Sequence, residues 1–177
     1  MNKRDFVMGS VALCALASCD AVPADEGEAS MTSETAEVAP GTNRDFSFTV
    51  STSAPDEIWR LWTTPSIWGD WDRGLKSASM DGEMALESTG QIISLSGPAS
   101  QFEVTEFDPK NSYAFVTQLP MAQLSVARSF NAARTAFTHR VSFSGPMAFA
   151  FARMFGPGFR KALPPTMRTL NALAESA

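Results

Sequence analysis

The chain contains one histidine, His139, and one tyrosine, Tyr113, and these two side chains are its best candidates for acid–base chemistry. An imidazole titrates near neutral pH, so in an apolar pocket His139 could orient a ligand carbonyl or act as a general base. No aspartate or glutamate is identifiable as an orienting partner for His139, which leaves a catalytic triad with little support. The alternatives are a core histidine satisfied by a neighbouring group and a tyrosine that only packs.

Cysteine content and charge exclude several functional classes. The two cysteines, Cys14 and Cys19, lie near the N-terminus, so the region beyond them has no disulfide, thiol nucleophile or cysteine metal site. With a single histidine, a zinc site of the usual kind is excluded, and we expect no metal and no cofactor. From Arg44 onward the chain carries 12 basic and 12 acidic residues, so it lacks the basic surplus of a nucleic-acid binder.

The segment that carries His139 is the clearest strand in the sequence. Thr135, Phe137, His139 and Val141 alternate with polar residues and therefore share one face. Turn residues divide the preceding chain into similar segments. The sequence predicts seven strands, near residues 44–53, 74–81, 84–95, 101–108, 112–118, 122–131 and 134–144.

Two short helical segments are predicted between the first two strands. Pro55 and the acidic residues after it start a helix over residues 56–63, and Thr64-Pro65 ends it. A second short turn follows, and Trp68 and Trp71 flank a glycine beside it. These tryptophans are either core residues or a lid over an entrance.

Residues 145–177 predict a long closing helix. Prolines remove hydrogen bonds and clash inside helices, so we expect breaks at residues 156–158 and 163–165, which would make this helix a gate. Large apolar residues recur at helical spacing in the first half and predict one wall of a cavity: Met147, Phe151, Met154 and Phe155.

The N-terminus predicts export and lipid attachment. Lys3 and Arg4 precede a short apolar run over residues 7–17, as in a signal peptide of residues 1–18. The run ends in Leu-Ala-Ser-Cys, which resembles the bacterial lipobox and predicts a lipidated Cys19. The alternative is an ordinary secretory signal with a chance cysteine. The basic pair also resembles a twin-arginine signal with lysine in the first place, which leaves the export route open.

Residues 19–43 predict a disordered acidic tether, because they are poor in large apolar side chains. The domain proper is then residues 44–177. The expected location is extracytoplasmic, anchored to a bacterial membrane, and on the periplasmic face of the inner membrane if the retention rule for Asp20 applies.

The order of these elements resembles the SRPBCC superfamily, the helix-grip proteins that include START lipid-transfer domains and polyketide cyclase/dehydrase-like proteins. The resemblance implies an α+β fold in which a seven-stranded antiparallel sheet curves around a long C-terminal helix, with two short helices after strand 1. It also implies an apolar cavity between the sheet and that helix. The matching segments are SAPDEIW at 53–59, WGDW at 68–71, VTEFDP at 104–109, THRV at 138–141 and SGP at 144–146.

The resemblance and the residue pattern favour a binding module for a small hydrophobic molecule or lipid. Arg153, Arg160 and Arg168 lie off the apolar stripe of the closing helix, where they are either a solvated face or a contact for anionic headgroups. The first alternative is a cyclase/dehydratase-like enzyme that uses His139 and Tyr113. The second is a protein-interaction module with a vestigial cavity. The predicted cavity residues are Phe46, Phe48, Trp68, Trp71, Phe115, Phe137, His139, Val141, Met147, Phe151, Met154 and Phe155.

Overall fold

The structure is a computed structural model that describes residues 36–38, 43–95 and 97–177 of the 177-residue chain. The predicted signal peptide and the lipidation of Cys19 lie outside the described residues. The described strands are β1 Glu37–Val38, β2 Asp45–Ser51, β3 Leu75–Met80, β4 Thr89–Ser94, β5 Ala99–Asp108, β6 Ser112–Leu119, β7 Ala122–Phe130 and β8 Ala136–Ser144. The described helices are α1 Pro55–Thr63, α2 Trp68–Trp71 and α3 Ala148–Glu175, with a 3₁₀ turn at Pro65–Ile67.

All eight strands belong to one antiparallel sheet in the order β1-β2-β8-β7-β6-β5-β4-β3. Strands β3 to β8 follow one another as a meander, and β8 then pairs with β2. The register shifts within β3 and within β5, and such bulges bend a strand. The predicted α+β helix-grip fold is confirmed: a curved antiparallel sheet is combined with a long C-terminal helix and short helices after the first long strand.

The sheet has one strand more than the seven predicted. Strand β1 lies in the segment that the sequence assigns to the tether, and it pairs with β2 through Glu37–Ser47 and Val38–Phe46. Ala36, just before it, is only 3% exposed. The polar composition of the predicted tether gives no signal for this strand. Strand β1 is stabilised instead by its pairing with the edge of β2 and by the hydrogen bond from Ala36 to α3.

Strand β4 begins at Thr89, five residues later than the predicted start at 84. The residues before it form a turn, in which Glu87 has a φ of 66°. Its backbone N–H donates to the Val104 carbonyl at 2.8 Å, which ties the turn to β5. The predicted positions of the other strands are confirmed to within a few residues.

Helix α3 is continuous, so the predicted breaks at residues 156–158 and 163–165 are wrong. Pro157, Pro164 and Pro165 all lie inside the helix. Pro164 cannot donate to the Arg160 carbonyl, but the backbone N–H of Ala36 does so at 3.4 Å. Residues 153 and 161, whose carbonyls lose the other two donors, are exposed, where water can bond them. Packing against the sheet therefore outweighs the local cost of the prolines.

The buried face of α3 begins with small residues. Ala148, Ala152 and Gly156 follow one another at intervals of four and are buried. A Cβ at Gly156 would lie 3.8 Å from the Phe46 ring, so the helix backbone passes close to β2. The large side chains that the sequence predicted as a cavity wall consequently lie on other sides of the helix.

Candidate functional site

Three polar side chains lie in a row across the buried face of the sheet. The register pairs Tyr113 of β6 with Arg128 of β7, and Arg128 with His139 of β8. Directly opposed residues of neighbouring strands share a face, with Cβ atoms about 5 Å apart. Their exposed fractions are 1%, 2% and 5%. We call Tyr113, Arg128 and His139 the polar row.

The Arg128 guanidinium is enclosed by aromatic rings. Its central carbon lies 4.8 Å from the ring centroid of Trp68 and 4.8 Å from that of Trp71. The rings of Tyr113 and Phe115 lie at 5.5 and 5.7 Å. Such cation–π contacts are worth about 2 kcal/mol or more where water is excluded. Helix α2 thus supplies the two tryptophans that cover the cation.

A carbonyl at the end of α1 organises the hydrogen bonds of the polar row. The last carbonyls of a helix lack partners within the helix. The Trp62 carbonyl accepts from the Tyr113 hydroxyl at 2.9 Å and from the Trp68 indole N–H at 2.9 Å. Arg128 Nη1 in turn donates to the Tyr113 oxygen. The network fixes α1, the tryptophan segment and β6 relative to one another.

Two polar atoms of the row have no hydrogen-bond partner among the described residues, Arg128 Nε and His139 Nδ1. Arg128 also forms no ion pair with a carboxylate in that part of the chain. A buried cation without a carboxylate in contact is costly, because its desolvation is only partly offset by the rings around it. The concave face therefore offers a positive, hydrogen-bonding group to an acceptor supplied from elsewhere.

Burial shifts the protonation equilibria of the groups beside Arg128. It raises the pKa of Tyr113 to about 12, although the positive charge of Arg128 acts in the opposite direction. Burial, helped by the charge of Arg128, holds the pKa of His139 well below 6.5. Burial also raises the pKa of Asp72, although the hydrogen bond from the Gly74 N–H and the positive charge of Arg128 each act to lower it. At neutral pH Tyr113 is then a neutral phenol and His139 a neutral imidazole.

Replacing His139 by phenylalanine (H139F) is expected to remove a loss of stability at low pH. Because the pKa of His139 is lower in the folded than in the unfolded chain, the unfolded chain binds more protons below about pH 6.5. The free energy of unfolding of the wild type should therefore fall by up to about 1.4 kcal/mol per pH unit below that point. Urea denaturation of both proteins between about pH 7 and pH 5 measures this difference. Parallel curves for the two proteins would contradict it.

The predicted cavity residues divide into three groups by exposure. Phe48 and Phe151 are half-buried, while Met147, Met154 and Phe155 are exposed on α3, contrary to their predicted place in a cavity wall. The others are buried and contact one another, as Trp68 does when it stacks on Phe115 at 5.5 Å. The buried group is Phe46, Trp68, Trp71, Phe115, Phe137, His139 and Val141.

Sequence reasoning missed Arg128. Its strand, β7, places Leu124, Val126 and Phe130 on the inward face, and Arg128 has the same phase. A charged residue in the apolar phase of a predicted strand is the signal that could have found it.

A groove with a mixed polar and apolar lining opens next to Tyr113, with a volume of about 580 Å³. We call it the Trp59 groove. The rings of Trp59 and Phe107 are 5.8 Å apart at its base, and Trp59 meets the Tyr113 ring edge-on at 6.2 Å. The groove is lined by Trp59, Thr63, Thr64, Pro65, Ser66, Ser79, Met80, Gly82, Glu83, Met84 and Phe107.

Comparisons with known proteins show the fold of the chain. No protein-family model matches the chain, and no curated protein matches it. Solved structures do resemble it. Protein MLL2253 from Mesorhizobium loti is 19% identical, with a TM-score of 0.57 over 76% of this chain and 98% of that one.

Aromatase/cyclases are among the structural neighbours. The Zhui aromatase/cyclase from Streptomyces sp. R1128 is 12% identical, with a TM-score of 0.58 over 75% of this chain and 93% of that one. The di-domain ARO/CYC StfQ from the steffimycin biosynthetic pathway is 12% identical, with a TM-score of 0.59 over 76% of this chain. The match covers 52% of StfQ. These likenesses establish a helix-grip fold of the kind that aromatase/cyclases have.

Proposed function

We propose that this protein binds a small hydrophobic ligand in the Trp59 groove, with an oxygen of the ligand directed to the polar row. The observation that carries the proposal is the buried Arg128, which forms no ion pair with a carboxylate among the described residues and hydrogen-bonds Tyr113, whose ring meets Trp59 of the groove. A volume of about 580 Å³ suits a drug-sized molecule. The ligand class that fits is an aromatic or alicyclic body with one carboxylate or carbonyl oxygen.

The path from the groove to the polar row passes Trp59. This side chain is half-buried, and its ring stands between the groove and the Tyr113 ring. A rotation of Trp59 would let a ligand oxygen approach the Tyr113 hydroxyl and the Arg128 guanidinium. The hydrogen bond to a charged donor would supply about 1.5–3 kcal/mol of the binding free energy.

The second candidate function is that of a cyclase/dehydratase-like enzyme, favoured by the placement of Tyr113, Arg128 and His139 side by side. In this function Arg128 would stabilise an enolate oxygen, and the neutral His139 would accept the proton that leaves the adjacent carbon. Tyr113 stays protonated, because its pKa is raised to about 12, and it could donate to the ligand only by exchanging its hydrogen bond to the Trp62 carbonyl for one to the ligand.

The setting of this activity is also a proposal. A lipid-modified Cys19 would hold the domain at the extracytoplasmic face of a bacterial membrane, where an apolar ligand can be passed to or from the bilayer. A non-lipidated, fully secreted protein would contradict this part without affecting the binding site. Mass spectrometry of the protein from its own host reports the modification and any co-purified ligand together.

A tryptophan in place of Ser66 (S66W) is expected to weaken binding at least about tenfold, because its indole would fill the groove. Ser66 lines the groove and is exposed, so the fold should tolerate the change. The matched control is S77W, since Ser77 is exposed on β3 but does not line the groove. Calorimetric titration with naphthoate measures both variants. Equal affinities for S66W and S77W, or no naphthoate binding by the wild type, would refute the proposed site.

A further inference from the structure

The first half of α3 presents large apolar side chains to solvent. Phe149 and Met154 are 64% and 66% exposed. Met121 extends this surface, because its carbonyl accepts the backbone N–H of Met147 at 3.0 Å. Met147, Met154 and Phe155 lie within about 100° of one another around the helix axis, whereas Phe149 lies on another side of the helix. An exposed apolar patch of this kind marks an interaction site. We call Met121, Met147, Met154 and Phe155 the α3 apolar face.

The charged residues of α3 beside its apolar face are positive. Residues 144–161 include Arg153, Arg160 and Lys161 and no acidic residue. A cleft of about 860 Å³ beside the helix is lined by Arg44, Arg153 and Arg160, together with Phe149, and none of the described residues that line it is acidic. We call it the arginine cleft. An apolar face that adjoins a cluster of guanidinium groups is complementary to a surface with an apolar interior and anionic groups above it.

The N-terminal segment of the chain meets the domain at this same surface. Ala36 donates its backbone N–H to the Arg160 carbonyl, and Arg160 Nη2 donates to Asn43 Oδ1 at 3.2 Å. Sixteen residues lie between Cys19 and Ala36, and this segment can span no more than about 60 Å. An anchor at Cys19 would therefore keep this surface within reach of the bilayer.

We propose that the α3 apolar face and the arginine cleft dock on an anionic lipid bilayer. The apolar side chains insert to the level of the acyl chains, and Arg153, Arg160 and Lys161 contact the headgroups. Each basic residue near the surface strengthens the partition about fivefold. Arg168, also predicted to contact headgroups, is exposed farther along α3. A second copy of the chain is a poorer occupant, because a twofold contact would bring these like charges together.

The docking is peripheral. Within the part of the chain that the structure describes, none of the helices combines the length and the apolar character that crossing a membrane requires. The surface is separate from the Trp59 groove, since the two share no lining residue. The domain could therefore bind a ligand in the Trp59 groove without docking on a bilayer, and it could dock without binding a ligand.

A spin label at residue 154 tests the docking. The substitutions C14S and C19S remove the native thiols from the full chain. A single cysteine for the label is then introduced by M154C, or by the control Q101C, since Gln101 is exposed on β5. The label's collisions with oxygen and with a water-soluble nickel chelate give its depth. In vesicles of phosphatidylcholine and phosphatidylglycerol, the label at residue 154 is expected about 5–10 Å below the headgroups, and the label at residue 101 in water.

Three outcomes would overturn the proposal. The first is that the chain does not associate with the anionic vesicles. The second is that it associates while the label at residue 154 remains in water. The third is that a second copy of the chain already shields this label in solution, without vesicles. The charge requirement is tested by R153Q/K161Q, which should lower the ratio of immersed to aqueous label at residue 154 about 25-fold. The control K76Q/K110Q removes the same charge elsewhere and should change the ratio less than about twofold. Equal effects of the two pairs would refute the contact with headgroups.

Discussion

Replacing Arg128 by methionine (R128M) is expected to weaken naphthoate binding about tenfold to a hundredfold while changing the binding of neutral naphthalene methanol less than about threefold. The carboxylate gains a hydrogen bond to a charged donor in a site from which aromatic rings exclude water, and the neutral alcohol gains much less. Calorimetric titration with the two probes separates loss of the charge from loss of the groove. An equal loss for both probes would mean that Arg128 acts only through the shape of the groove.

The same substitution should leave the protein folded. Methionine is shorter than arginine but similar in volume, and it makes favourable contacts with aromatic rings, so it can fill much of the place between Trp68 and Trp71. It forgoes the cation–π contacts, but it also removes the cost of burying an unpaired charge. We therefore expect the free energy of unfolding to change by less than about 2 kcal/mol.

The control for R128M is R134M. Arg134 also lies over an aromatic ring, that of Phe130 at 4.9 Å, but it pairs with Asp56 outside the polar row. R134M should bind naphthoate as the wild type does. Weaker naphthoate binding by R128M but not by R134M would show that Arg128 serves ligand binding, because we expect its burial to add little net stability to the fold.

The sheet and the short helices were predictable because local signals and tertiary packing agree in them. Alternation in β8 placed His139 on the buried face, and proline and glycine marked the turns around Trp68. In α3 the two kinds of signal conflict. Three prolines predict breaks, yet the helix runs through them, and Ala36, far away in sequence, supplies the donor that the Arg160 carbonyl lacks. Single-sequence reasoning has no access to such a donor.

The candidate site was only half predictable, for a physical reason. Tyr113 and His139 were found because each is the only residue of its type, whereas Arg128 is one of many basic residues. Its role depends on cross-strand neighbours that only the register reveals. The stripe of Met and Phe on α3 was a real periodicity, but the assumption that large apolar residues face inward was wrong. Small residues such as Ala152 and Gly156 let α3 approach the sheet, and that close approach displaces the large side chains to the surface.

An alanine in place of Gly90 (G90A) is expected to lower the free energy of unfolding by about 3 kcal/mol. Its Cβ would lie 2.5 Å from the Phe102 ring and 2.5 Å from the Ser79 carbonyl oxygen, closer than atoms can approach. The oxygen belongs to the backbone of β3, which pairs with β4 and cannot move alone. The ring is held between Trp68 at 5.5 Å and Phe115 at 5.2 Å, so its displacement would also disturb the rings around Arg128.

The matched substitution is G158A, which should raise the free energy of unfolding by up to about 1 kcal/mol. Gly158 lies inside α3, and nothing stands within 4 Å of its missing Cβ, so alanine brings only its higher helix propensity. Urea denaturation measures both variants, and naphthoate titration should show weaker binding for G90A alone. If G90A were as stable as the wild type, then β3 and Phe102 would not be fixed as described. The aromatic enclosure of Arg128, which rests on the same ring, would then lose its support.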